Sequence, residues 1–328
     1  MKKIISVLLI IVLSSAFVYA DEGTTSLGTG THILNVDGYE ALLYIPESAP
    51  ARFMPLVVNL HPSSGTGENS LAESKHVADQ HGFAILAPTG VAGALADGWQ
   101  WNVSGVPLFK GLPIENNRDD VEFISHAIDA AENKINVDSS RIYAIGFSGG
   151  ARMVSQLACD LSDRLAAVVM ISGIRFPLAS DANLGLPDSK QCQPARHIPV
   201  IAIHGLLDSV NVWADSPPVV NPPPAWEIKS PKQGSAWSYS GETALKRWIS
   251  FNSTSESPSV AKISANIDLL EYFGPYNKDA SVTLVMVKDA GHTIPGYENH
   301  WIPGRENTEV DGYDLAWILL SKYSLDNQ

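Results

Sequence analysis

Continuous apolar runs punctuate this chain. Residues 41–45, 55–60, 83–87, 142–145, 165–171, 200–203 and 282–287 are rich in valine, isoleucine, leucine and alanine, with few polar interruptions. Short runs without strict alternation are characteristic of strands covered on both faces. Between them, apolar residues recur at helical spacing over 69–81, 119–134, 149–161, 242–251 and 310–323. Strands alternating with helices predict an α/β fold, with a mainly parallel central sheet, right-handed crossovers and helices on both faces. No internal repeat or second domain boundary interrupts the pattern, so residues 21–328 are expected to form one domain. Asp119 and Asp120 open the second helical stretch, where carboxylates suit a helix N-terminus better than a metal.

One stretch departs from this rhythm. Between Asp208 and the helix expected from Glu242 stand Pro217, Pro218, Pro222, Pro223 and Pro224, with Trp213, Trp226, Trp237 and Tyr239 among and around them. A loop this long inside a domain is usually functional or disordered. We read about 213–237 as an insertion. It follows the carboxyl end of a strand, so Asp215 to Gly234 is expected to form either a rim or partial lid that selects substrate, or a solvated surface loop.

The densest chemistry lies at Ile145-Gly146-Phe147-Ser148-Gly149-Gly150, between a strand and a helix. G-x-S-x-G in that setting is a nucleophile elbow. Its glycines leave room for the chain to reverse, and the Gly149 N–H at the helix start can face a developing oxyanion. A serine nucleophile needs a base, and the base needs an orienting carboxylate. In open α/β sheets such groups stand at the carboxyl ends of strands. One strand runs on into His204-Gly205-Leu206-Leu207-Asp208, and another into Lys288-Asp289-Ala290-Gly291-His292. The order Ser148, Asp208, His292 is that of the α/β-hydrolases. Asp289 and Asp215 are rivals for the acid, but Asp208 follows its strand directly. His204 at a strand end suits a hydrogen-bonding structural role. The second oxyanion donor should come from His61-Pro62-Ser63-Ser64-Gly65. Pro62 has no N–H, which leaves Ser63 first and Ser64 second.

The leader, the charge and the cysteines set the compartment. Lys2 and Lys3, an apolar run over 4–13 and the small residues near Ala20 read as a signal peptide over 1–20. No later segment has spanning length, so a periplasmic or secreted, bacterial protein without a membrane anchor is expected. Twenty-two basic against 35 acidic residues give a net charge of −13. Such a surface repels nucleic acid and anionic membranes. Two cysteines in an exported chain suggest one disulfide. Cys159 lies near the far end of the helix that starts at Ser148, and Cys192 precedes a strand that begins at that same end. A Cys159–Cys192 bridge away from the catalytic face is therefore expected.

Several segments resemble the secreted feruloyl esterases and polyhydroxybutyrate depolymerases. They are Leu60-His61-Pro62-Ser63, Gly146-Phe147-Ser148-Gly149-Gly150, His204-Gly205-Leu206-Leu207-Asp208 and Gly291-His292-Thr293-Ile294-Pro295-Gly296. The Asp119 helix start, the Trp99–Trp101 segment and the cysteine positions look similar too. The resemblance implies an α/β-hydrolase fold and ester hydrolysis. The chain departs from the family at Pro62, where glycine is usual, at Ile294, where tryptophan is usual, and in its longer proline-rich insertion. No zinc spacing, phosphate loop or dinucleotide fingerprint appears, so no metal or cofactor is expected. Trp99, Trp101, Trp213 and Trp301 lie in loops that could line a substrate site.

The expected activity is that of a secreted serine carboxylic-ester hydrolase. Feruloyl or acyl esters of plant polysaccharide and hydroxyalkanoate polyester are its candidate substrates, some of them polymeric. Competing readings are a secreted serine peptidase or amidase on the same fold, and a catalytically inactive polymer-binding protein.

Overall fold

The computed structural model describes residues 27–50, 52–95, 98–106, 117–184, 190–214, 239–274, 281–298 and 305–327. The expected leader over 1–20, most of the expected insertion (residues 215–237), and Trp301 lie outside the described residues. In chain order the strands are β1 (Gly30–Val36), β2 (Tyr39–Ile45), β3 (Met54–Leu60), β4 (Ala84–Pro88), β5 (Ala92–Leu95), β6 (Gly98–Gln100), β7 (Val137–Phe147), β8 (Ala167–Ile171), β9 (Val200–Gly205), β10 (Ser259–Lys262), β11 (Ile267–Tyr272) and β12 (Val282–Val287). The helices are α1 (Gly67–His81), α2 (Asp120–Glu132), α3 (Gly149–Asp160), α4 (Gly241–Phe251) and α5 (Gly312–Leu320).

Ten strands form one sheet in the order β1-β2-β4-β3-β7-β8-β9-β12-β11-β10, and β5 pairs with β6 apart from it. The six central strands, β4 to β12 in that order, run parallel. Antiparallel pairs close both edges. Every residue of β3, β4, β8 and β9 is buried, which explains their unbroken apolar sequences. Alternate residues serve opposite faces: Leu56, Val58 and Leu60 join one core cluster, and Val57 joins the other. A mainly parallel central sheet with flanking helices is the α/β class expected from the sequence.

The edges are where sequence and structure differ. β1, β10 and β11 carry no continuous apolar run. β1 alternates between buried and open positions, and all four residues of β10 are exposed. The helix expected over 310–323 is shorter because Asp311 caps it, accepting from the Tyr313 and Asp314 N–H groups. Asp119 caps α2 through the N–H groups of Val121 and Glu122. Asp120 instead turns inward, pairs with Arg118 at 2.7 Å and accepts from the Asn102 N–H. The Cys159–Cys192 disulfide joins the end of α3 to the segment before β9, with 5.1 Å between Cα atoms. It lies at the far end of α3 from Ser148, as expected.

Candidate active site

Four of the parallel central strands, β3, β7, β9 and β12, deliver their following loops to one edge of the sheet. Ser148 follows β7 at a turn where its φ is +51°, a conformation unfavourable for a residue with a Cβ. Tight packing enforces it. A Cβ on Gly146 would lie 2.4 Å from the Gly150 carbonyl carbon, and one on Gly150 would lie 2.0 Å from the Leu60 oxygen. Ser148 has no side-chain capping bond to α3, so its hydroxyl is left for another partner.

That partner is His292. Its Nε2 lies 2.8 Å from Ser148 Oγ, and its Nδ1 lies 2.8 Å from Asp208 Oδ2. With Nδ1–H donating to the carboxylate, Nε2 is left to accept the serine proton. The His292 ring is fully buried and packs 5.1 Å from the Phe147 ring. Gly205 brings the two loops together, since a Cβ there would be 2.4 Å from the Ala290 and Gly291 oxygens.

Asp208 is held on both oxygens. Its Oδ1 accepts from the Val210 and Asn211 N–H groups at 2.8 and 2.7 Å. Burial pushes its carboxyl up, but the His292 charge and hydrogen bond, the His204 charge and the Asn211 amide outweigh burial and hold it below the usual carboxylate range. His204 lies 3.5 Å from Asp208 Oδ2 and 2.8 Å from the Asn211 carbonyl. Burial lowers the pKa of His204. Asp289 accepts from the Asn307 side chain at 2.9 Å, a bond within the loop region.

The oxyanion side is built by the loop after β3. A Cβ on Gly149 would stand 2.7 Å from the Ser63 nitrogen, so the elbow and this loop approach closely. The Ser64 N–H is engaged by the Trp99 carbonyl at 3.0 Å, whereas Ser63 packs against Gly149 at the turn. His61 fixes this loop. Its Nε2 accepts from the Gly90 N–H at 2.9 Å and its Nδ1 donates to the Pro62 carbonyl at 2.8 Å. Burial holds this imidazole down at about 4. Trp101 donates to the His61 carbonyl at 2.9 Å and stacks on its ring at 4.7 Å.

The tryptophans separate into different environments. Trp99 is 36% exposed and is bridged to Gly65 of the loop after β3. Trp101 is 4% exposed, and Trp213 packs under Asp208's loop against His204 at 5.0 Å. Both differ from the expectation of substrate-lining residues, because their rings brace histidines from below. His61, Phe147, Asn211 and Arg152 escaped the sequence reading as parts of the site. Arg152 donates to Asn211 Oδ1 and Ser63 Oγ at 3.3 and 3.4 Å, linking the acid loop to the oxyanion loop. Its position one turn past the elbow was the available signal. Among the described residues no cluster of three or more His, Cys, Asp or Glu is disposed to hold a metal.

The family model described as "Esterase PHB depolymerase" matches residues 39–220, more than half of the chain. Feruloyl esterase B of Piromyces equi is 26% identical over 274 residues, 83% of this chain and 42% of that protein. The poly(3-hydroxyoctanoate) depolymerase of Pseudomonas fluorescens is 29% identical over 133 residues, 40% of this chain and 44% of that one. The chain thus aligns with less than half the length of either relative. Among solved structures, the acetyl xylan esterase from Aspergillus awamori superposes with a TM-score of 0.54 at 16% identity, covering 81% of this chain and 95% of that one.

Proposed function

The chain belongs to the esterase PHB depolymerase family, and from that premise we propose that it is a serine carboxylic-ester hydrolase working through an acyl-enzyme. The observation that carries this reading is the hydrogen-bonded chain Ser148–His292–Asp208, with 2.8 Å at each link, beside the Ser63 and Gly149 amides. Ser148 Oγ attacks the ester carbonyl as its proton passes to His292 Nε2. Asp208 holds the imidazole in the accepting tautomer and stabilises its cation. The Ser63 and Gly149 N–H groups take the negative charge that develops on the carbonyl oxygen. His292 returns the proton to the departing alcohol. A water then repeats the sequence on the acyl-serine and releases the acid.

The relatives are named for feruloyl, acetyl xylan and hydroxyalkanoate esters. For this chain we take the substrate class to be a carboxylic ester with an aromatic or short aliphatic acyl group, with Trp99 at the rim of the acyl site. The Cys159–Cys192 bridge supports work in an oxidising compartment, and the leader-like N-terminus supports export. The direct test is p-nitrophenyl acetate turnover. Ser148→Ala and His292→Ala should each lower kcat by several orders of magnitude, and the double variant should be little worse than either single one. Turnover that survives Ser148→Ala would refute the reading, and additive losses would refute the serine and histidine acting as a unit.

A further inference from the structure

Asn211 stands three residues past Asp208, in a loop without regular secondary structure. It is buried, and its backbone N–H, its backbone carbonyl and both ends of its side-chain amide are all engaged. We propose that Asn211 is a positioning residue of the reaction, whose side chain sets the direction of the Asp208 carboxylate and, through it, of the His292 imidazole. The inference rests on the esterase reading above and adds to it a residue that acts through the triad.

The backbone of Asn211 faces the acid. Its N–H donates to Asp208 Oδ1 at 2.7 Å, beside the Val210 N–H at 2.8 Å. Its carbonyl lies 2.8 Å from His204 Nε2, and that nitrogen is also 3.5 Å from Asp208 Oδ2. Both neighbours are acceptors, so Nε2 carries the proton and donates to the Asn211 carbonyl. His204 Nδ1 is buried with no partner among the described residues, so a second proton there would be stranded, and the ring holds the loop as a neutral donor.

The side chain reaches two further elements. Its Nδ2 donates to the Ser172 carbonyl just past β8, and its Oδ1 accepts from Arg152 Nη1 on α3 at 3.3 Å. Ser172 is fixed in turn, because its N–H donates to the Ile203 carbonyl of β9 at 2.9 Å. A guanidinium offers only donors and a carbonyl only acceptors, so the side chain between them needs one of each. Asparagine supplies both, whereas aspartate has no donor and leucine has neither.

The Asn211 backbone is thus pinned to β9 through His204, to the end of β8 through Ser172 and to α3 through Arg152. Asp208 Oδ1 is bonded to that backbone. The two carboxylate oxygens are rigidly joined, so fixing Oδ1 aims Oδ2 at His292 Nδ1, 2.8 Å away. A misplacement of about 1 Å in such a constellation costs on the order of a hundredfold in rate.

A double-mutant cycle on p-nitrophenyl acetate turnover tests this. In the wild type, Asn211→Ala should lower kcat roughly ten- to a hundredfold and leave KM within about threefold. In an Asp208→Asn background the same substitution should change kcat by less than about threefold, because its effect passes through a carboxylate already removed. A kcat near that of the wild type, an equal loss in both backgrounds, or an effect confined to KM overturns the proposal. Should Asn211→Ala fold poorly, Asn211→Leu keeps the volume and removes both side-chain bonds. It should show the same loss of kcat and the same dependence on Asp208, and additive losses in that pair overturn the proposal equally. If Asp208→Asn alone leaves turnover intact, the triad reading fails. If Asp208→Asn is damaging while Asn211→Ala is harmless, the positioning proposal alone fails.

Discussion

His61 should make the fold sensitive to mild acid. It is fully buried beneath the oxyanion loop, accepts from the Gly90 N–H and donates to the Pro62 carbonyl. The accepting nitrogen cannot be protonated without losing the Gly90 bond and leaving a charge in the core. Burial accordingly holds this imidazole down at about 4, against 6.5 for an unfolded histidine. The folded value is depressed, so the stabilisation is complete above the unfolded pKa. It is lost as pH falls from 6.5 towards 4. Linkage gives a loss of roughly 2 kcal/mol between pH 7 and 5, and about 3 kcal/mol by pH 4. Asp208, held below the usual carboxylate range, loses its contribution only at still lower pH, beneath this window. The assay is urea denaturation of the wild type and His61→Gln at pH 7, 6 and 5. The variant starts less stable, but its free energy should fall less by roughly 2 kcal/mol over that range. Parallel pH dependences in the two proteins would refute the argument.

Three other outcomes follow from the geometry. Reducing the Cys159–Cys192 bridge releases a constraint spanning 33 residues and should lower unfolding stability by roughly 3–4 kcal/mol. Urea denaturation with and without reductant measures this, and unchanged midpoints would contradict it. Asp208→Asn should lower kcat roughly a thousandfold or more, whereas Asp289→Asn should stay within a few-fold, because Asp289 bonds Asn307 and not the imidazole. The reverse order in steady-state kinetics would move the acid role to Asp289. Trp99→Ala should raise KM for methyl ferulate roughly three- to tenfold and leave p-nitrophenyl acetate nearly unchanged, as expected for loss of one aromatic contact. Equal effects on both esters would place Trp99 in loop support rather than substrate contact.

The central strands were legible because burial on both faces leaves no polar positions, as at Val200–Gly205 and Ala167–Ile171. The edge strands were not. β10 exposes all four residues, and its pairing with β11 is made by the backbone, which the side-chain pattern does not record. The elbow glycines and the residues after β9 and β12 could be placed because strand ends dictate where loops emerge. The supporting shell was harder to see. Trp101 and Trp213 carry the residue type of a substrate platform, and only the tertiary arrangement turns their rings onto His61 and His204.

The most direct test of the account is covalent trapping by a fluorophosphonate, followed by mass spectrometry of the digested protein. The account predicts one adduct, on the peptide containing Ser148, formed rapidly by the wild type and many times more slowly by His292→Ala. Labelling at a different serine, or an undiminished rate without His292, would contradict the claim that the imidazole 2.8 Å from Ser148 Oγ activates it.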